Sequence, residues 1–163
     1  MPATREGLFH RLAELGIAST TVAHPPVFTV EEARALRGAI PGTHIKNLFL
    51  EDKKNALWLV VCEEEAAIDL KSLPARIGSG RLSFGRPGLL REVLGVEPGS
   101  VTPFAVINDT GGRVRVVLDA RIAAAGRVNC HPLENTATTT IAAADLLRFL
   151  RACGHEPKIL DLA

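Results

Sequence analysis

The chain has 163 residues, 47% of them hydrophobic, with 19 Lys+Arg against 18 Asp+Glu for a formal net charge of +1. That length and apolar content fit one compact domain over residues 1–163 with a full core. The even charge balance excludes the chain-wide basic field by which proteins grip phosphate backbones without specificity, leaving only local basic patches.

Leu8, Leu12 and Leu15 recur at helical spacing, which predicts a helix over about 4–15 closed by Gly16. TVAH (21–24) reads as a short strand, and HPPVF (24–28) as an extended, proline-rich loop. Thr29 stands three residues before Glu32, a capping box that starts a helix through about Leu36, with Gly38 as its stop. HIKNLFL and NALWLVVC are apolar runs joined by EDKK, a hairpin buried on both faces. AIDLKSLPARIG predicts a helix, RLSFG a short strand, and RPGLLREVLG a helix with Pro87 in its first turn and Gly95 after its last. TPFAVIND and RVRVVLD read as strands paired across Thr110-Gly111-Gly112. RVNCHPL and NTATTTI continue the sheet, AADLLRFLRACG is a helix ended by Gly154, and PKILDL is extended. Strands adjacent in sequence read as antiparallel, so the expected class is α+β: a mixed, mainly antiparallel sheet or partial barrel with peripheral helices.

Three segments carry candidate chemistry. Strand alternation puts His44, Lys46, Leu48 and Leu50 on one face, and Ile45, Asn47 and Phe49 on the other. Lys46 therefore projects beside leucines, where its ammonium either snorkels to water or meets a carboxylate, carbonyl or ligand oxygen. In Val96-Glu97-Pro98-Gly99-Ser100, glycine permits positive φ, so the amides of Gly99 and Ser100 form either an ordinary tight turn or an anion-binding concavity of oxyanion-hole type. His131 is a general base, a hydrogen-bonding partner for a substrate hydroxyl or a core histidine. If its segment is a strand it faces away from Cys130, which argues against a Cys-His nucleophile pair. Asn135, Thr136, Thr138, Thr139 and Thr140 offer an amide and hydroxyls, and their β-branching equally suits a strand.

Other signals are negative. Gly78 and Gly80 lack the third glycine of a dinucleotide fingerprint, and Arg81 stands where a nucleophile elbow needs glycine. The histidines and cysteines have no metal-ligand spacing, and Cys62, Cys130 and Cys153 read as buried thiols of a reducing compartment. Trp58 and Phe104 read as core more readily than as base-stacking platforms. The charged, amphipathic start is no secretory signal, and the longest apolar run, ALWLVVC, is far short of the roughly 20 residues that span a bilayer. A soluble, cytoplasmic protein is expected.

The segments HPPVFTVEEA (24–33), KNLFLEDKK (46–54), LSFG (82–85), LGVEPGSVTPFAVIND (94–109), HPLENTATTTI (131–141) and DLLRFL (145–150) appear in order over most of the chain. With them the chain resembles the YbaK/prolyl-tRNA-synthetase-associated editing superfamily, and within it the freestanding ProX (PrdX) type. The resemblance implies trans-editing hydrolysis of mischarged aminoacyl-tRNA, alanine on the tRNA for proline being the foremost substrate, without cofactor or metal. It implies that Lys46 is essential for deacylation, that Gly99 and Ser100 belong to a carbonyl-binding loop, and that His131 lines the aminoacyl pocket. Val27, Phe28 and Thr29 match a loop near that pocket; Asn47, Phe104, Asn135 and Thr136 complete the expected substrate-binding set. Expected partners are a tRNA charged with a small amino acid, with prolyl-tRNA synthetase or an elongation factor in association, and no membrane. The alternatives are a YbaK-type deacylase of cysteinyl-tRNA for proline, a non-catalytic tRNA- or DNA-binding module, and a detached synthetase accessory domain.

Overall fold

The computed structural model describes residues 2–26 and 29–162. Helix α1 (Arg5–Glu14) starts where the Thr4 side chain accepts the Gly7 amide; its buried stripe is Leu8 and Leu12, and Gly16 ends the turn at φ 69°. Strand β1 (Ser19–Ala23) follows, then helix α2 (Val30–Ala39). The Thr29 half of the capping box forms, with the Glu32 amide donating to Thr29 Oγ1 at 3.0 Å. The helix continues through Gly38, where the sequence suggested a stop, because an interior glycine costs only about 1 kcal/mol. It ends instead at Ile40, whose backbone is extended, just ahead of Pro41.

Strands β2 (Thr43–Asp52) and β3 (Leu57–Glu63) form the expected antiparallel hairpin. Every β3 residue from Leu57 to Cys62 is buried, as a strand covered on both faces requires. Only Leu73–Ile77 of the next predicted helix is helical (α3), followed by β4 (Leu82–Phe84) and α4 (Pro87–Leu94), which Gly95 closes at φ 66°.

The segment TPFAVIND departs from the expectation. Pro103–Asn108 is a 3-10 turn rather than a strand, with the Thr102 side chain accepting the Phe104 amide at its head. A short apolar run has no periodicity to separate strand from buried helical turn, and Pro103 favours the latter at a first-turn position. The predicted hairpin to RVRVVLD is therefore absent. That segment, β5 (Val114–Asp119), lies parallel to β3 on one side and to β8 (Lys158–Leu160) on the other. Between them come α5 (Ala120–Ala123), β6 (Arg127–Cys130), β7 (Ala137–Ala142) and α6 (Ala143–Ala152).

The sheet order is β1-β7-β6-β2-β3-β5-β8, with β4 pairing β2. Four pairings are antiparallel (β1–β7, β6–β7, β2–β3, β2–β4) and three parallel (β2–β6, β3–β5, β5–β8). The mixed, mainly antiparallel α+β expectation holds; the sheet stays open and does not close into a barrel. Its two faces carry separate cores. Phe49, Leu59 and Val61 pack with α1, α4 and α6, while Leu50, Trp58 and Val60 pack with α3, the alternation a strand imposes.

A buried polar cluster ties the first core's loops together. Asp109 accepts the amides of Arg113 and Val114 and the Nε2–H of His155 at 2.8 Å. It thereby fastens the end of the 3-10 turn and the start of β5 to the segment after α6.

Candidate active site

The start of β2, the end of β3 and the adjoining ends of β6 and β7 enclose a cavity of about 210 Å³. Its lining includes Ile45 and Asn47 of β2, Cys130 and His131 at the end of β6, and Thr138 of β7, with Leu36 of α2 across from them. The volume is below the roughly 300–1,000 Å³ of drug-sized ligand sites. The cavity has room for a group of amino-acid size.

Asn47 links the cavity to the glycine turn. Its Nδ2 donates to the Val101 carbonyl at 3.1 Å, anchoring the segment just after Gly99 and Ser100 against β2. Gly99 has φ 91°, a conformation in which glycine alone avoids strain. A Cβ built on it would lie 3.8 Å from Asn135 Nδ2, so the 131–136 segment borders the same turn. Leu133 within that segment holds a left-handed φ of 70°, an arrangement that persists only where the surroundings enforce it.

Two expected features are corrected. The Ser100 amide donates to the Glu97 carbonyl at 2.9 Å; it closes the turn, and Ser100 is buried, so the pair of convergent amides expected of Gly99 and Ser100 does not form. Phe104 is fully buried and stacks edge-on against Phe149 with centroids 5.3 Å apart. It belongs to the core, because the 3-10 turn points it inward, and contributes nothing to a binding surface. Thr136 is exposed and its carbonyl takes the His24 amide. Thr29 caps α2. Val27 and Phe28 lie outside the described residues.

Lys46 stands on the opposite face of β2 from Asn47, beside Cys62 of β3. Its ammonium donates to the Ala66 carbonyl, two residues from Glu64, which lines the cavity. The structure thus brings together Asn47, His131, Asn135 and the Gly99 turn, and directs the Lys46 ammonium to the Ala66 carbonyl. The ammonium and the turn are not in contact through Asn47's face, as alternation requires.

Burial pushes the His131 imidazole below its ordinary value, opposed by the Ala137 carbonyl and the nearby Glu64 carboxylate. The ring is accordingly neutral near pH 7. Its Nδ1–H donates to Ala137 O at 3.1 Å, which leaves Nε2 as the acceptor. Cys130 also lines the cavity, since β6 ends there and alternation no longer separates it from His131. Burial raises its thiol far above physiological pH, so it is no thiolate nucleophile. Burial likewise lifts Cys62 to about 11.

The sequence reading passed over His24, His44, Glu64 and Asn129. His44, Glu64 and Asn129 border the cavity, and His24 Nε2 lies 2.8 Å from Thr138 Oγ1. The parallel β2–β6 pairing sets His44 beside Asn129, the β1–β7 register brings His24 to Thr138, and the β2–β3 hairpin brings Glu64 to His44. Among the described residues no three His, Cys, Asp or Glu side chains converge as a metal site would need, and no helix is long and apolar enough to cross a membrane.

Known proteins resemble this chain in sequence and in fold. A family model for the aminoacyl-tRNA editing domain matches residues 24–149. Prolyl-tRNA editing protein ProX of Acetoanaerobium sticklandii is 36% identical over 159 residues, covering 97% of each chain. Prolyl-tRNA synthetase associated domain-containing protein 1 of Danio rerio is 41% identical over 159 residues, covering 96% of this chain and 86% of that one. A crystal structure described as a candidate trans-editing enzyme for prolyl tRNA synthetase superposes with a TM-score of 0.72 at 20% identity, covering all of both chains, and shows the shared fold.

Proposed function

This chain belongs to the aminoacyl-tRNA editing domain family and is an aminoacyl-tRNA deacylase; we propose that it acts in trans on alanine esterified to the tRNA for proline. The observation that supports this reading is the cavity of about 210 Å³ walled by Ile45, Leu36 and Thr138, joined to the Gly99 turn by the Asn47–Val101 hydrogen bond. Binding alone separates amino acids differing by one methylene by only about 1–3 kcal/mol, so a synthetase that activates proline also accepts alanine at some rate. A second site that admits only the smaller side chain removes the error.

The ester is already activated, so no strong protein nucleophile is required. In the proposed mechanism the ester carbonyl oxygen replaces the Ala66 carbonyl as the acceptor of the Lys46 ammonium. Developing negative charge on that oxygen is stabilised by the same ammonium, while the Gly99 turn borders the aminoacyl group through Asn135. A water, aided by the neighbouring ribose hydroxyl, attacks the carbonyl carbon; the acyl–oxygen bond then breaks, and the ribose oxygen leaves with the water's proton passed through that hydroxyl, freeing the amino acid. His131 and Asn135 position the aminoacyl group, and proline is refused by its ring. The tRNA is the macromolecular partner, and prolyl-tRNA synthetase or an elongation factor is the proposed associate that hands it over.

A panel of tRNAs charged with Ala, Cys, Ser, Gly and Pro, each followed for release of free amino acid, tests this reading. Alanine on the tRNA for proline is expected to be released at least about 10-fold faster than proline. Preferential release of cysteine would reassign the substrate, and binding without release from any ester would make the chain a tRNA-binding module.

A further inference from the structure

A second groove, of about 440 Å³, lies toward the other end of β3 from the cavity, between β5, β8 and the end of α3. Trp58 and Ile77 line its apolar side, and two cations stand over it. Arg115 of β5 is exposed, with its guanidinium 5.3 Å from the centre of the Trp58 ring. That stack holds the planar fork in place while the N–H groups on its rim stay open. Lys158 of β8, also exposed, donates to the Ile77 carbonyl at 3.2 Å, which leaves two of its three donors for a ligand. Gly78 beside it has no side chain to shield the ammonium; a Cβ there would stand 3.9 Å from Nζ. Register fixes the spacing of the pair. Lys158 lies opposite Val117, two residues along β5 from Arg115, so the two side chains share a face with their backbones about 8 Å apart. Other exposed arginines meet carboxylates, Arg86 with Glu51, Arg91 with Glu97 and Arg113 with Glu92. Among the described residues no carboxylate meets Arg115 or Lys158, and the groove's own, Glu156, is held by Arg151 at 2.8 Å. Two unneutralised cations at a fixed spacing fit a polyanion.

We propose that Arg115 and Lys158 receive neighbouring phosphates of the tRNA acceptor stem while the charged end of that tRNA lies in the cavity. The inference rests on the deacylase reading and deepens it by giving the substrate's duplex a place on the protein. Trp58 in the groove and Glu64 in the cavity lining are six residues apart along one extended run, roughly 20 Å at strand rise. A free amino-acid ester cannot span that distance. An acceptor stem can, because its duplex begins a few unpaired nucleotides from the ester. The net charge of +1 gives the chain no general attraction for tRNA, so a local pair of cations has to supply it. Arginine's fork meets phosphate oxygens two at a time, and lysine adds a point charge. Phosphate contacts position a nucleic acid without reading its sequence. The groove therefore sets affinity and leaves the hydrolytic step to the cavity.

The test uses the full chain carrying both Arg115→Gln and Lys158→Gln, first with uncharged tRNA for proline at several salt concentrations. Binding is expected to weaken by about 10-fold or more near about 0.1 M salt, and the log–log salt dependence to become shallower by roughly 1–2, the loss of two phosphate contacts. With alanyl-tRNA for proline, KM should rise by a similar factor while kcat stays near that of the wild type. Alanine esterified to a single nucleoside reaches the cavity and not the groove, so its hydrolysis should be the same in both proteins. Unchanged tRNA affinity and salt dependence in the double variant would overturn the proposal. An equal loss on the nucleoside ester would overturn it too, since the substitutions would then act through the fold. Release of amino acid from neither ester by the wild type, with tRNA binding still weakened by the substitutions, would overturn the deacylase reading and leave the phosphate contacts standing.

Discussion

Lys46→Met is expected to lower release of alanine from the tRNA for proline by about 100- to 1,000-fold, the cost of removing one donor from a developing oxyanion. Methionine keeps the apolar stem that lies beside Cys62 and Leu48, so thermal stability should stay near that of the wild type. The Ala66 carbonyl loses its ammonium donor, but Ala66 is only half-buried and water can take that place. The variant thus separates charge from packing. Lys46→Arg tests the geometry, because a rigid planar fork does not substitute for a compact ammonium where one oxygen must be met. Near-full activity in Lys46→Met would remove this lysine from the mechanism and leave the cavity lining to account for hydrolysis.

Asp109→Ala should be the most damaging substitution for stability, costing about 3–5 kcal/mol because it strands buried partners of a carboxylate. The Asp109 and His155 side chains are 2% and 3% exposed. Removing the carboxylate leaves His155 Nε2 and the amides of Arg113 and Val114 without their acceptor. For a chain of this size the melting temperature should fall by roughly 6–20 °C. Thermal and urea unfolding read the loss directly, with Asp109→Asn as the milder, isosteric comparison. Asp109 does not line the cavity, so deacylation at low temperature should survive. A change under about 1 kcal/mol would mean that water satisfies these groups and that the cluster is peripheral.

Local rules and tertiary pairing divided what the sequence disclosed. The Thr29 cap, the β2–β3 hairpin and the Pro87–Gly95 limits of α4 follow from side chains that act within a few residues of themselves. The 3-10 turn at Pro103–Asn108 did not, because an apolar run of that length is buried in either conformation. The parallel pairings of β5 were also hidden; they depend on what lies between the strands and leave no turn signal. At the site, alternation along β2 already placed Lys46 and Asn47 on opposite faces. What alternation cannot supply is the partner of each: the Ala66 carbonyl for one and the Val101 carbonyl for the other. Gly99 was legible because its backbone demands glycine, and His44 and Asn129 were not, since only the β2–β6 register sets them side by side.

In the proposed mechanism hydrolysis takes place at the cavity between β2, β6 and β7. Leu36 forms one wall from α2 and is partly exposed, so Leu36→Trp can fill the space without disturbing the sheet. The decisive measurement is the initial rate of alanine release from alanyl-tRNA for proline by this variant beside the wild type, with unfolding curves to match their stability. A rate reduced at least about 10-fold at unchanged stability is the expected result, in line with the loss that misplacing a substrate inflicts. An equal rate from the filled cavity would place hydrolysis elsewhere on the molecule.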